Sequence, residues 1–254
     1  MAKKSKTPRP PRPVQAPKRR VDTRKRSGGV PPWAWIAGAG VVVVIVVVVA
    51  VSMSGGGSGT SDAQVAATMR AAGCTFKSTP PKPAKKDPLN YHADVPSLST
   101  PTKGLWSTFP PSGGAHYGLW AVWGFYRDPV NPRQVVHNEE HGAVVLWWGP
   151  QVPPATVDKL EAFYQQQPDG VFGTPLESLN GKSLGDKIAL TAWTGDTSKY
   201  YQLVNGKRYY GIGHVAICSK FSQKAFAAFR KAYRGKGPEG IPLADDEPGM
   251  GPQS

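Results

Sequence analysis

Histidine is scarce in this 254-residue chain, with five residues, and cysteine is scarcer, with two. Two cysteines allow a single disulfide, so the fold cannot rest on a disulfide framework. No GxSxG segment occurs, which removes the nucleophile elbow of a serine hydrolase, and Ser112 sits in a Pro/Gly loop with no base assigned to it. No internal repeat is present, which excludes a solenoid. Acids are nearly absent from residues 1–32, where Asp22 stands against eleven Lys or Arg. That segment carries +10 of the chain's formal +14 and leaves +4 for the rest. The basic balance therefore belongs to a tail and not to a basic globular domain, and no nucleic-acid partner is expected. With five prolines between Pro8 and Pro17 and little that is apolar, residues 1–32 read as a disordered basic cytoplasmic tail.

Charge is missing altogether from residues 33–53, WAWIAGAGVVVVIVVVVAVSM. About 20 such residues as a helix span the roughly 30 Å apolar core of a bilayer. In lipid the helix overrides the poor helix propensity of valine, because it satisfies every backbone group within one segment. Trp33 and Trp35 stand where interfacial aromatics anchor. A cleaved signal peptide, with Ala50-Val51-Ser52 as a weak cleavage site, is the alternative, but its apolar run would be shorter. The expectation is a single-pass transmembrane helix in the cell membrane. Its N-terminus is cytoplasmic and everything after residue 53 is extracytoplasmic, with the tail drawn to anionic inner-leaflet lipid.

What is present in quantity is concentrated at His137-Asn138-Glu139-Glu140-His141-Gly142, where two imidazoles and two carboxylates share five positions. These side chains bind borderline divalent metals and move protons near neutral pH. Around this cluster the chain divides into residues 54–104, a linker, short helix and irregular arm; 105–235, the compact domain; and 236–254, a flexible tail. Ser61 or Asp62 caps a short helix that ends at Ala72 before Gly73. Residues 142–148 form a buried strand, and Val135-Val136 reads as the start of another. Residues 154–167 form a helix with Val157, Leu160, Phe163 and Tyr164 on one face. Residues 187–193 are a strand. Residues 200–204 and 207–212 flank Asn205-Gly206 as a hairpin, which residues 213–218 extend. Residues 222–233 are a helix with Ala225, Phe226 and Phe229 inward. The order suggests an α+β domain with a mostly antiparallel sheet and two or three helices.

The segments Pro110-Pro111-Ser112-Gly113-Gly114-Ala115-His116-Tyr117, Trp120 to Tyr126 and Val136 to Val145 resemble the bacterial DUF3105 family. Ala189 to Trp193 and the closing Tyr233-Arg234-Gly235-Lys236-Gly237-Pro238-Glu239 are similar to its C-terminal half, so the resemblance covers residues 74–239. The resemblance implies a membrane-anchored protein with an extracytoplasmic domain and carries no established function. The family has proline where this chain has Ala115, which predicts a looser loop before His116.

Three or four N, S or O ligands make a tetrahedral metal site. His116, His137 and His141 are the candidates, with Glu140 as a fourth ligand or as a base, and His92 or His214 able to complete the set. Zinc or copper is the expected ion. A structural reading competes, in which Glu140 and His141 form a hydrogen-bonded pair that holds a loop to the sheet. The HxxEH spacing also matches metalloproteases that carry it on a helix. Here the flanking Val135-Val136 and VVLWW leave room for one turn at most, so the cluster reads as a loop leading into a strand. Cys74 and Cys218 outside the membrane favour a disulfide; a Cys218–His214 copper site is the rival. Trp106, Trp120, Trp123, Phe125, Tyr126, Trp147 and Trp148 are core or a platform for an envelope partner. Trp147 and Trp148 point to opposite sides of their strand, so one should line a second surface. The preferred reading is a metal-binding envelope module. The alternatives are a non-catalytic module binding an envelope protein or wall polymer and a metal-dependent hydrolase.

Overall fold

A computed structural model of the chain describes residues 61–86, 90–195, 202–204, 207–244 and 249–252. The basic tail and the apolar run 33–53 lie outside the described residues. Among those described, no helix is long and apolar enough to cross a membrane.

Helix α1 (Asp62–Ala71) starts at a capping box: Ser61 Oγ accepts from the Gln64 N–H, and Gln64 Oε1 accepts from the Ser61 N–H. Strand β1 (Cys74–Thr79) follows, so the arm expected to be irregular carries regular structure. Its first residue is bonded to the last residue of β7 (Ile212–Cys218) as the Cys74–Cys218 disulfide. The two cysteines face each other in register, so the bridge fastens one end of the edge strand. It closes a loop 144 residues long. The entropy removed from the unfolded chain is worth about 4–5 kcal/mol at most. With its sulfur so engaged, Cys218 is no copper ligand for His214.

Helix α2 (Pro132–Glu140), β2 (Val144–Trp148), α3 (Pro154–Gln165), β3 (Val171–Pro175) and β4 (Ile188–Thr194) come next. The hairpin β5 (Gln202–Val204) and β6 (Lys207–Tyr209) forms a separate two-stranded sheet, and β7 joins the main sheet instead of extending the hairpin. The main sheet has the order β1-β7-β4-β2-β3. Among the described strands of this sheet, β2 and β3 are the parallel pair, joined by α3 as the crossover. Helix α4 (Gln223–Tyr233), capped by Ser222, closes the order. Among the described residues, four helices and a mixed sheet make the domain α+β, with one or two helices more than the pattern predicted.

Both faces of the sheet are covered. Val144, Leu146, Trp148, Ile188 and Leu190 pack on one side with Phe163 of α3, Phe226 and Phe229 of α4 and Met69 of α1. Val145, Trp147 and Ala189 pack on the other with Val135 of α2 and Phe172. Trp147 and Trp148 do point apart, but each enters a core; the second surface expected for one of them is a second packed layer.

The pair Val135-Val136 starts no strand. It lies in α2, and so do His137, Asn138, Glu139 and Glu140. Asn131 caps that helix by accepting from the Arg133 N–H, and Pro132 fills the first position, where a missing N–H costs nothing. The other end closes as a Schellman motif. The Gly142 N–H donates to Glu139 O and the Ala143 N–H to Asn138 O, with Gly142 at φ +97°. A second glycine lies against this end: a Cβ on Gly237 would meet the Glu140 carbonyl oxygen at 2.0 Å and the Gly142 nitrogen at 2.4 Å. The Gly235 N–H donates to Gly142 O. The segment after α4 is therefore laid directly on the HNEEHG cluster and is not loose there. Gly237→Ala should cost about 1–3 kcal/mol or more in chemical denaturation, because the methyl meets backbone that cannot yield. A change below about 0.5 kcal/mol, the usual range for an unconstrained surface position, would contradict this contact.

Candidate metal centre

Gln134 through Glu140 are buried, so α2 is enclosed along this stretch although most of it is polar. Each polar side chain then needs a partner inside the protein. Asn138 meets the backbone of Ala121 twice: its Oδ1 accepts from the Ala121 N–H and its Nδ2 donates to the Ala121 carbonyl. Glu139 Oε2 accepts from the Gly113 N–H at 3.0 Å, and its Oε1 accepts from the Thr191 hydroxyl, which in turn accepts from Trp147 Nε1. Burial pushes the Glu139 carboxyl up to about 8 against those two hydrogen bonds. These contacts hold the 112–121 loop against α2. The loop that lacks the family's proline is fixed by packing: Ser112 Oγ donates to Ala192 O, and Trp106 Nε1 donates to Ala115 O.

The loop delivers His116, which is fully buried, to the last turn of α2. The short 3₁₀ turn Tyr91–Asp94, begun by Asn90 Oδ1 accepting from the His92 N–H, delivers His92. With His137 they form a triangle of imidazoles whose centroids lie 4.6, 4.8 and 4.7 Å apart. Glu140 Oε2 sits 2.9 Å from His116 Nε2, 3.6 Å from His92 Nε2 and 4.0 Å from His137 Nε2. The four ligand atoms all lie within 4.8 Å of one another. Ligands about 2.0–2.1 Å from one tetrahedral ion stand ~3.4 Å apart, so small side-chain shifts suffice to close the set.

The outer nitrogens determine what the inner ones can do. His116 Nδ1 lies 2.6 Å from Gly114 O, and His137 Nδ1 lies 2.7 Å from Tyr117 O. A carbonyl only accepts, so both Nδ1 atoms carry the hydrogen, and in the neutral ring Nε2 presents a lone pair toward Glu140. Burial, with the His116 charge adding and Glu140 opposing, pushes His137 down to about 2, which keeps that ring neutral. Burial alone would raise Glu140, but its contacts with the His116 and His92 imidazoles outweigh it and hold the carboxyl well below its usual range. The His92 and His116 Nε2 atoms are buried without a hydrogen-bond partner. The 2.9 Å approach of His116 Nε2 to Glu140 Oε2 is within ion-pair distance but lacks hydrogen-bond alignment. His92, His116, His137 and Glu140 could thus hold a metal ion.

His141, the C-cap of α2, stands beyond His137, with Nε2 to Nε2 at 3.1 Å. It joins a second group that could hold an ion, completed by Glu239 Oε2 at 3.0 Å. The half-buried Trp120 packs over both rings, with centroids 5.2 Å from His137 and 4.4 Å from His141. Of the five histidines only His214 is elsewhere. Its Nδ1 lies 2.9 Å from Ser78 Oγ and its Nε2 2.8 Å from Thr194 Oγ1. The one-turn expectation for 137–141 is corrected, since these residues finish a nine-residue helix. Glu239 was legible as the acid of the closing Tyr233–Glu239 segment, but no spacing tied it to His141, 98 positions away.

Burial lowers His214 to about 4, against the pull of Asp62 and with Lys236 adding to the shift. The neutral ring is the folded form, while the unfolded chain takes up its proton near 6.5. The stability owed to this group is therefore present above that value and is lost as pH falls from 6.5 toward 4, on the order of 3 kcal/mol. Thermal melts over that window should show the loss, and His214→Gln should make it shallower, leaving the part owed to His137, which burial also holds neutral. An equal slope in the variant would contradict the assignment.

No curated protein and no solved structure matches the chain. The model of a family described as protein of unknown function, DUF3105, matches residues 101–245, more than half of the chain and all of the centre except His92. On that match, and on the 110–117, 136–145 and 233–239 segments that build the centre, the chain belongs to the DUF3105 family.

Proposed function

We propose that this DUF3105 protein is a metal-binding module of the cell envelope that holds one transition metal ion, zinc or copper, on His92, His116, His137 and Glu140. The observation that carries the reading is the set of Nε2 atoms turned inward. Two of the imidazoles are fixed by carbonyls on their Nδ1 sides, two Nε2 atoms are buried and unsatisfied, and all of them converge on one carboxylate. A single proton could join only two of these groups, whereas a divalent ion satisfies all four. The negative end of α2 adds a favourable field for a cation. Three imidazoles and one carboxylate suit zinc or copper better than calcium or magnesium. An extracytoplasmic location, with residues 33–53 as a membrane anchor and the bilayer as first partner, accords with the Cys74–Cys218 bridge, since disulfides persist in oxidising compartments.

A hydrolase is the second reading, favoured by one observation. HxxEH is helix-borne after all, and His137, His141 and Glu239 form a His-His-Glu group beside Glu140. Against it, Glu140 is buried and turned into the three imidazoles, where it serves as a ligand and not as a base facing substrate.

Elemental analysis of the purified full-length protein should find one zinc or copper per chain. Stripping the ion should lower the melting temperature by about 5–11 °C, the size expected when free metal exceeds the dissociation constant by about 100-fold. His137→Ala should lose both the ion and the shift. Absence of stoichiometric metal, with melting unchanged in added Zn²⁺ or Cu²⁺, would contradict the reading. Ester or peptide hydrolysis that disappears in Glu140→Gln while metal is retained would favour the hydrolase.

A further inference from the structure

The two candidate groups share one atom. His137 Nε2 belongs to the inner set with His92, His116 and Glu140, and also to the outer set with His141 and Glu239. One lone pair coordinates one ion, so the sets cannot both be complete. They differ in access. The His116, His137 and Glu140 side chains of the inner set are almost wholly buried, and the Nε2 of its fourth member, His92, is buried although that side chain is 41% exposed, whereas the Glu239 side chain is 43% exposed. The span between them is short: 3.0 Å from Glu239 to His141, 3.1 Å from His141 to His137 and 4.0 Å from His137 to Glu140. The same line runs from a solvent-facing carboxylate through two imidazoles to a buried carboxylate.

We infer that Glu239 and His141 form an entry position through which a metal ion reaches the inner site, with His137 passing it inward. The inference rests on the inner site being a metal site. Glu239 captures the hydrated ion from solvent, and a water bound to the ion leaves to solvent as the carboxylate oxygen takes its place. Any proton held between His141 and Glu239 leaves to solvent as His141 binds. His137 Nε2 then completes the outer set. In the transfer the bond to His137 is kept, while those to Glu239 and His141 break as those to Glu140, His116 and His92 form. No electron moves, and the ion is never without a protein ligand. This gives the closing Tyr233–Glu239 segment a purpose beyond packing. The glycine contact at Gly237 sets the backbone down on the end of α2, and two residues later Glu239 lies over His141. Trp120, packed on the His137 and His141 rings, covers the position from the side.

The test separates rate from equilibrium. The full-length protein, stripped of metal, is mixed with Co²⁺ in a stopped-flow spectrometer, and the visible bands of the bound ion are followed. Removal with excess chelator is then followed in the same way. Glu239→Gln and His141→Gln should each still bind one Co²⁺ per chain with the wild-type end-point spectrum. Both loading and release should slow by roughly tenfold or more, the scale on which a focused charge raises an on-rate. Since Glu239 lies on the surface, its variant should keep the wild-type melting temperature. His141→Gln reads the same step at the next ligand. Unchanged rates in both variants with one ion bound would overturn the entry route and leave the inner site standing. Loss of the bound ion in Glu239→Gln would overturn it too, by making Glu239 a resident ligand. Failure of the wild-type protein to bind Co²⁺, Zn²⁺ or Cu²⁺ at all would overturn the metal site itself.

Discussion

A helix whose polar residues are enclosed on every side sets the terms for the rest of this domain. From Gln134 to Glu140, α2 has no face turned to water. Each of its polar groups would cost about 1–3 kcal/mol if left unpaired. The surrounding segments are shaped to meet that demand. Ala121 gives both backbone groups to Asn138, Gly113 and Thr191 serve Glu139, and Tyr117 offers its carbonyl to His137. The five-stranded sheet, the three helices on its far face and the Cys74–Cys218 bridge make a rigid floor for this arrangement.

The centre follows from that enclosure. Once the Nδ1 atoms of His116 and His137 are committed to carbonyls, their Nε2 atoms are left to face Glu140 and, for His137, also His141. Glu140, ionised in the interior, supplies the charge that a divalent ion would balance. His92 arrives from the segment before the compact region, so the first part of the chain contributes to the centre as well as to the sheet edge. Glycine allows the closing segment to approach the end of α2 at backbone distance, and that approach brings Glu239 to His141.

Much of this was legible in the sequence, and the misreadings have physical causes. The strands at 144–148 and 188–194 and the helices α1, α3 and α4 carry strong signals: a run of buried β-branched and aromatic residues, Ser at two N-caps, apolar residues on one face. Helix α2 was missed because its β-branched pair Val135-Val136 resembles the start of a strand and a strand follows directly after Gly142. Its ends were nevertheless written in the chain, as Asn131-Pro132 at the start and Gly142 at the stop. The cluster at 137–141 announced the chemistry, and His116 was recognisable as its companion. The partition of the histidines was not legible. Spacing puts His137 and His141 on one side of the helix, but only the folded loop turns His92 and His116 to one flank of His137 and leaves His141 with Glu239 on the other.

The central claim is that the imidazoles of α2, its neighbouring loop and the 3₁₀ turn share one ion with Glu140. X-ray absorption at the metal edge of the zinc-loaded full-length protein tests it most directly. The account predicts a four-coordinate ion with three imidazole nitrogens and one carboxylate oxygen at about 2.0–2.2 Å, and no sulfur. A spectrum with fewer than two imidazoles, or one dominated by water or sulfur, would contradict it.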